Sequence, residues 1–386
     1  MPLVHAPSRS PSPASGWLPG LDLVRATAIV LVVWAHGRSL LPRGTLSDLP
    51  WLAPAHWGIE LFFALSGYLI VGQVVAVLAA GSWQALQAFC WKRFLRTIPV
   101  YWLVLALLSL TLPADIRFQV WLREALFLRT VPFASSDGGA LLAVNWSLAV
   151  EEMSYGMFAL LALGLLATRR HWQSRGVPER AIVAVVLVLL IGIGVASRAW
   201  AARQGFSLDQ LKFSALLHVD ALAYGGLARL WADGRRIQQR PWTLPVWVAG
   251  IALLPLSAWL GHAVRSTYLL PQPGADQLQL HASLAYGLSR IVAAGLVLAM
   301  AAMPPLAFTK SRPWLALIGT TAAASYSTYL LHQVVVFHWV VGLKPQLPGL
   351  GVQLFWLYAA LSLALGYLSY QVLEKPWIRL RRRLLP

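Results

Sequence analysis

The feature that most constrains this chain is the recurrence, along 386 residues, of apolar stretches about as long as a bilayer core is thick. About 20 helical residues cross that core, where a helix satisfies its own backbone polar groups without water. Ten such stretches are read at 21–41, 57–80, 97–112, 141–167, 181–200, 211–230, 242–262, 282–308, 321–342 and 350–373. The piece 313–320, PWLALIGT, reads as a separate interfacial helix ahead of the ninth stretch. The chain is 58% hydrophobic and only 12% charged, about half the charged share of an ordinary soluble protein. The expected fold class is therefore all-α: a polytopic membrane protein with about ten transmembrane helices around a central polar cavity.

Residues 1–20 are rich in Pro and Ser and hold no continuous apolar run ahead of a small-residue cleavage site. They read as a disordered cytoplasmic N-terminal tail rather than a signal peptide. Residues 21–376 form the expected transmembrane domain, and 377–386 a basic cytoplasmic tail suited to anionic lipid. With ten spans both termini share a side, and that side collects 19 of the 31 Lys and Arg residues against 10 on the other, which predicts cytoplasmic termini. Because the basic residues cluster between apolar stretches, the net charge of +17 reads as membrane topology and no nucleic acid partner is expected. Nineteen Trp residues suit interfacial belts, and the single cysteine excludes an internal disulfide and leaves no Cys/His metal spacing, so no metal is expected.

Hydrocarbon penalises ionisable side chains, so those inside the stretches are functional candidates. In LDLVRATAIVLVVWAH, Arg25 and His36 stand eleven residues apart, about 16 Å along a helix and within roughly 20° of one face. The plainer alternative has Arg25 reaching back to headgroups, Asp22 pairing with it one turn away, and His36 bonded to backbone. In NWSLAVEEMSYG, Ser147, Glu151 and Tyr155 share one stripe, with Glu152 about 100° away. Glu151 then either handles protons in a cavity or locks the bundle against Arg25 or Arg290. Ser325, Tyr329 and His332 of SYSTYLLHQ form a similar stripe, as cavity wall or as glue between helices. WKRFLRTIPVYW places Lys92, Arg93 and Arg96 at the expected start of the third span, with Pro99 in its first turns. That cluster is either topological or a phosphate site adding helix N–H groups to the side chains.

The arginine, ten residues and histidine of the first stretch, with GIELFFALSGYLI, WKRFLRTIPVYW, NWSLAVEEMSYG, YSTYLLH and the terminal EKP in that order, resemble acyltransferase family 3 membrane proteins across residues 21–376. Two departures stand out: Ser154 where the family usually has Phe, and His218 where an Arg often precedes the Asp220 position. The form resembled is the stand-alone one without a C-terminal hydrolase-like domain. The resemblance implies O-acyl transfer in a bacterial inner membrane, from cytoplasmic acyl-CoA, most commonly acetyl-CoA, to a sugar hydroxyl of a cell-surface or exported polysaccharide. Its partners are then acyl-CoA, a glycan or lipid-linked glycan, and membrane lipids.

On that reading Arg25, Arg93 and Arg96 hold the polyanionic donor, and His36 is the general base a thioester transfer needs near neutral pH. Glu151 orients the imidazole or relays its proton, Ser147, Tyr155, Tyr329 and His332 line the cavity, and His332 is a candidate second relay. An acyltransferase acting on a small molecule or lipid, such as a macrolide or glycolipid, stays open. So does a transporter without acyl chemistry, although the charged stripes show no internal repeat of the kind transporters carry.

Overall fold

Pro19 starts the first helix because its fixed φ suits a first helical turn, where its missing N–H would go unused. The computed structural model describes residues 18–42, 44, 55–130, 141–142, 144–234, 286–302 and 313–384, and the described residues are 86% helical with no strand among them. The helices are α1 Pro19–Gly37, α2 Ala55–Ala80, α3 Trp83–Ser109, α4 Ala114–Ala125, α5 Asn145–Ala167, α6 Arg169–Gln173 and α7 Glu179–Arg203. They continue with α8 Leu208–Phe213, α9 Ala223–Gly234, α10 Tyr286–Ala301, α11 Pro313–Leu331, α12 His338–Leu343, α13 Gly351–Ser369 and α14 Lys375–Leu384. Two π-helical turns, His332–Phe337 and Tyr370–Glu374, follow α11 and α13.

Five stretches among the described residues are long and apolar enough to cross a membrane: Pro19–Leu40, Trp57–Ala80, Asn145–Ala167, Glu179–Arg203 and Gly351–Arg381. Tyr286–Ala301 is a shorter apolar helix. The stretch at 242–262 and residues 1–17 lie outside the described residues.

Several boundaries differ from expectation, each for a physical reason. Helix α3 starts at Trp83, where the Ser82 hydroxyl accepts a hydrogen bond from Ala85 N at 3.2 Å. Its buried stripe runs through Leu86, Phe89, Arg93, Thr97, Val100 and Val104, so the basic cluster lies well inside a helix. The free N–H groups of a helix start are therefore not part of any anion site at Lys92, Arg93 and Arg96. The segment 211–230 is not one helix: α8, a 3-10 turn at Ala215–His218 and α9 divide it. That break is protein-enclosed, and His218 and Asp220 within it are fully buried. PWLALIGT is the opening of the continuous helix α11. The expected tail begins at 377, but residues 377–384 belong to α14, Lys375–Leu384, which packs on α3 with Arg381 Nη1 donating to Lys92 O at 3.4 Å.

Helix α1 packs on α2, α10 and α11, while α2 also meets α5 and α9, and α11 meets α13. The α2–α9 contact depends on two glycines: a Cβ on Gly67 would collide with Leu222 O, and one on Gly225 with Ala64 O. Small residues permit that backbone approach in a bundle. Ile70, Val74, Val100, Val104, Phe158 and Leu187 are among the fully or nearly fully buried side chains of the largest apolar cluster. This packing holds α1, α2, α3, α5 and α11 around one pocket.

Candidate active site

A pocket with a free volume of about 60 Å³ lies among those five helices. Phe62, Phe63, Leu65 and Leu69 of α2 supply apolar wall, because α2 turns an aromatic face toward it. Against that wall stand Arg25 of α1, Arg93 and Arg96 of α3, Ser147 and Glu151 of α5, and Tyr329 of α11. Three guanidiniums thus converge from two helices, since Arg93 occupies a core-facing position of the α3 stripe and Arg96 follows it by three residues.

Glu151 Oε1 accepts from Ser66 Oγ at 2.5 Å and from the Tyr155 hydroxyl. Arg93 lies over the Tyr155 ring with its guanidinium carbon 5.1 Å from the centroid. Arg25 is within electrostatic reach of Glu151, Asp22 and Arg96. Glu152 accepts from Thr97 Oγ1 at 2.6 Å and is within electrostatic reach of Arg93 and Arg96. Glu374, at the end of the second π turn, accepts from Ser327 Oγ at 2.9 Å and is also within reach of Arg96 and Arg25. The guanidiniums of the pocket therefore face carboxylates from two directions.

His36 and His332 do not line this pocket. They face each other beyond it, His332 Nε2 lying 3.3 Å from His36 Nδ1 with ring centroids 4.9 Å apart. Val32 O and Tyr329 O can only accept, so His36 Nδ1 donates to Val32 O at 2.9 Å and His332 Nδ1 donates to Tyr329 O at 2.8 Å. In the neutral pair the single His36 Nδ1–H is shared between Val32 O and, at the longer distance, His332 Nε2, which puts the His36 lone pair on Nε2. Tyr329 joins the two regions, because its hydroxyl is hydrogen bonded to Ser147 Oγ inside the pocket while its carbonyl orients His332.

The structure thus groups the sequence candidates in two sets. Arg25, Arg93, Arg96, Ser147, Glu151 and Tyr329 share the pocket. Tyr155 lies behind Glu151 and His332 beside His36, so neither forms the wall expected of it. Glu151 does not orient the His36 imidazole; the Val32 carbonyl and His332 do. Nor is Arg290 the partner of Glu151, since Glu60 and Asp220 hold it. Sequence reasoning missed Ser66 and Thr97, though both lie within stretches that carry the family resemblance.

It also missed a second polar assembly. Asp220 receives a fork from Arg198, with Nη1–Oδ1 at 2.7 Å and Nη2–Oδ2 at 2.8 Å, and a further bond from Arg290 Nη1 at 2.6 Å. Arg290 Nε donates to Glu60 Oε2 at 3.1 Å and Nη2 to His218 Nδ1 at 2.6 Å, while His218 Nε2 faces Leu211 O and Lys212 O. None of these five side chains is more than 2% exposed. Two guanidiniums against two carboxylates balance in charge and tie α2, α7, α10 and the 215–222 segment together.

An open basic groove with a free volume of about 590 Å³ adjoins the pocket and shares Leu69, Arg93 and Arg96 with it, whereas Lys92 and Arg381 line the groove and not the pocket. Apolar spans, a basic recess and a histidine pair beyond it define a helical membrane protein with a polar site inside its bundle. The family model described as Acyltransferase domain matches residues 18–371, and the chain belongs to that family, acyltransferase family 3. With its apolar helices, this makes it an integral membrane protein. It is similar to the O-acetyltransferase OatA of Staphylococcus aureus, 27% identical over 192 residues that make up 46% of this chain and 29% of that protein. A putative O-acetyltransferase of the same species, strain COL, is 27% identical over 165 residues, 39% of this chain and 26% of its own. The chain therefore spans less than a third of the length of these relatives. No solved structure matches it at a significant level.

Proposed function

We propose that this protein is an O-acetyltransferase that carries an acetyl group from cytoplasmic acetyl-CoA to a sugar hydroxyl of an exported or cell-surface polysaccharide. The observation that carries the reading is two recesses in series, an open basic groove and an inner pocket, joined at Arg93 and Arg96. A polyanion with a long neutral arm fits that series: phosphates stay with the guanidiniums while the arm extends inward. The excess of Lys and Arg supports a groove on the cytoplasmic side of a bundle of about ten spans, with both termini on that side.

In the transfer, the acceptor hydroxyl oxygen attacks the thioester carbonyl carbon, the carbon–sulfur bond breaks, and the hydroxyl proton passes to His36 Nε2. The departing thiolate takes that proton and leaves as CoA thiol. The imidazolium formed in between is met by the Val32 carbonyl and by His332 Nε2, which makes His332 a positioning residue for the base. Glu151 acts on the donor side, as the carboxylate facing the three pocket guanidiniums, and Tyr155 holds it in place. Ser147 and Tyr329 form the joint between donor pocket and base.

The test uses the protein in detergent with acetyl-CoA and a surface glycan. Thiol release that depends on the glycan, with a gain of one acetyl mass per modified sugar, supports the reading. A thioester left intact in the presence of the glycan, by protein that is folded in the same detergent, overturns it and favours a transporter without acyl chemistry.

A further inference from the structure

Helix α14 packs on α3 and contributes Arg381 to the lining of the basic groove, beside Lys92 and Arg93 of α3. Such a helix next to a membrane span is ordinarily explained by anionic lipid. Here one of its guanidiniums lines a recess instead, together with Gln73 and Gln84. Arg93 and Arg96 border both recesses, whereas Lys92 and Arg381 border only the outer one. The order of groups along coenzyme A matches this order of cations. Running out from the thioester come the pantetheine arm, the diphosphate, and then the ribose with its 3′-phosphate. With the thioester in the inner pocket, the diphosphate falls at the shared Arg93 and Arg96, and the 3′-phosphate falls further out.

We propose that Arg381, with Lys92, forms the subsite for the donor's ribose 3′-phosphate, so that the C-terminal helix selects phosphorylated coenzyme A over its dephosphorylated form. This rests on the donor reading above. The Arg381 guanidinium donates to Lys92 O at 3.4 Å, which holds it at the groove lining beside Lys92. A forked cation of this kind suits a terminal phosphate dianion.

Steady-state kinetics with acetyl-CoA and with 3′-dephospho-acetyl-CoA test the assignment on the full chain. The wild type should show a KM about tenfold or more higher for the dephospho donor, the loss expected for a charge-assisted hydrogen bond. Arg381→Ala should raise KM for acetyl-CoA to a similar extent and leave the dephospho kinetics within about twofold, so that discrimination disappears. Activity with the dephospho donor also reports that the variant is folded. Arg381→Lys should restore part of the discrimination. An equal rise in KM for both donors, or no rise for either, overturns the subsite and returns α14 to a lipid-facing role. If neither donor yields acyl transfer by the wild type, the donor reading itself fails, which is a different result.

Discussion

Two buried polar assemblies lie within this bundle, and they are built on opposite principles. Around Asp220, two guanidiniums meet two carboxylates and an imidazole in a sealed set whose members are at most 2% exposed. Around Arg25, Arg93 and Arg96, three guanidiniums border an open recess, and a bulk-connected groove continues from two of them. The closed set has its hydrogen bonds inside the protein and holds four segments in register. The open set presents donors to space that a substrate can fill. A buried ion network is therefore not by itself a site; what separates the two is whether the cations border a cavity.

The comparison is broken most forcefully at Asp220. Asp220→Ala leaves Arg198 and Arg290 facing each other in a dry interior, and removing one partner of such a pair costs about 3–5 kcal/mol. Thermal unfolding in detergent should show a large loss of stability, with activity falling only as the folded fraction falls. A variant that melts like the wild type yet is inactive would move Asp220 from scaffold to chemistry.

His36→Ala should do the reverse. Turnover should drop by at least ~10², the contribution of a general base, while the melting profile stays close to wild type. Retained turnover would remove His36 from the mechanism. Next in size is Arg93→Ala, which removes a pocket cation and its contact with the Tyr155 ring; KM for acetyl-CoA should rise about tenfold with a smaller change in kcat. If only stability changes, Arg93 belongs with the closed set. The smallest effect is expected for Tyr329→Phe, which removes the hydroxyl contact to Ser147 but keeps the carbonyl that orients His332. A few-fold loss in kcat matches one neutral hydrogen bond of about 1 kcal/mol. A loss as large as that of His36→Ala would make the Tyr329 hydroxyl part of the chemistry.

Much of the helical scaffold was readable because apolar length alone marks a span, as for α1, α2, α5, α7 and α13. Helix α3 was misjudged because Lys92, Arg93 and Arg96 mask the stripe through Leu86, Phe89 and Val100 that continues across them. The break in 211–230 was hidden because it depends on Arg198 and Arg290, which arrive from distant helices to hold Asp220. In the site, helical spacing placed Ser147 and Glu151 on one stripe, and both line the pocket. No local pattern reveals that His36 meets His332 across 296 residues of chain, or that Glu151 takes Ser66 and Tyr155 as partners. Periodicity fixes which face a side chain occupies; the packing of α1 on α11 decides what that face meets.

The proposed function has the donor enter through the basic groove from the cytoplasmic side, and we propose that the acceptor arrives from the opposite face. Sealed vesicles of one orientation, with the glycan enclosed on the face remote from the groove, test this most directly. Acetyl-CoA supplied only on the groove side should acetylate the enclosed glycan, and the same donor supplied only with the glycan should not. Transfer that requires both substrates on one face would contradict the account.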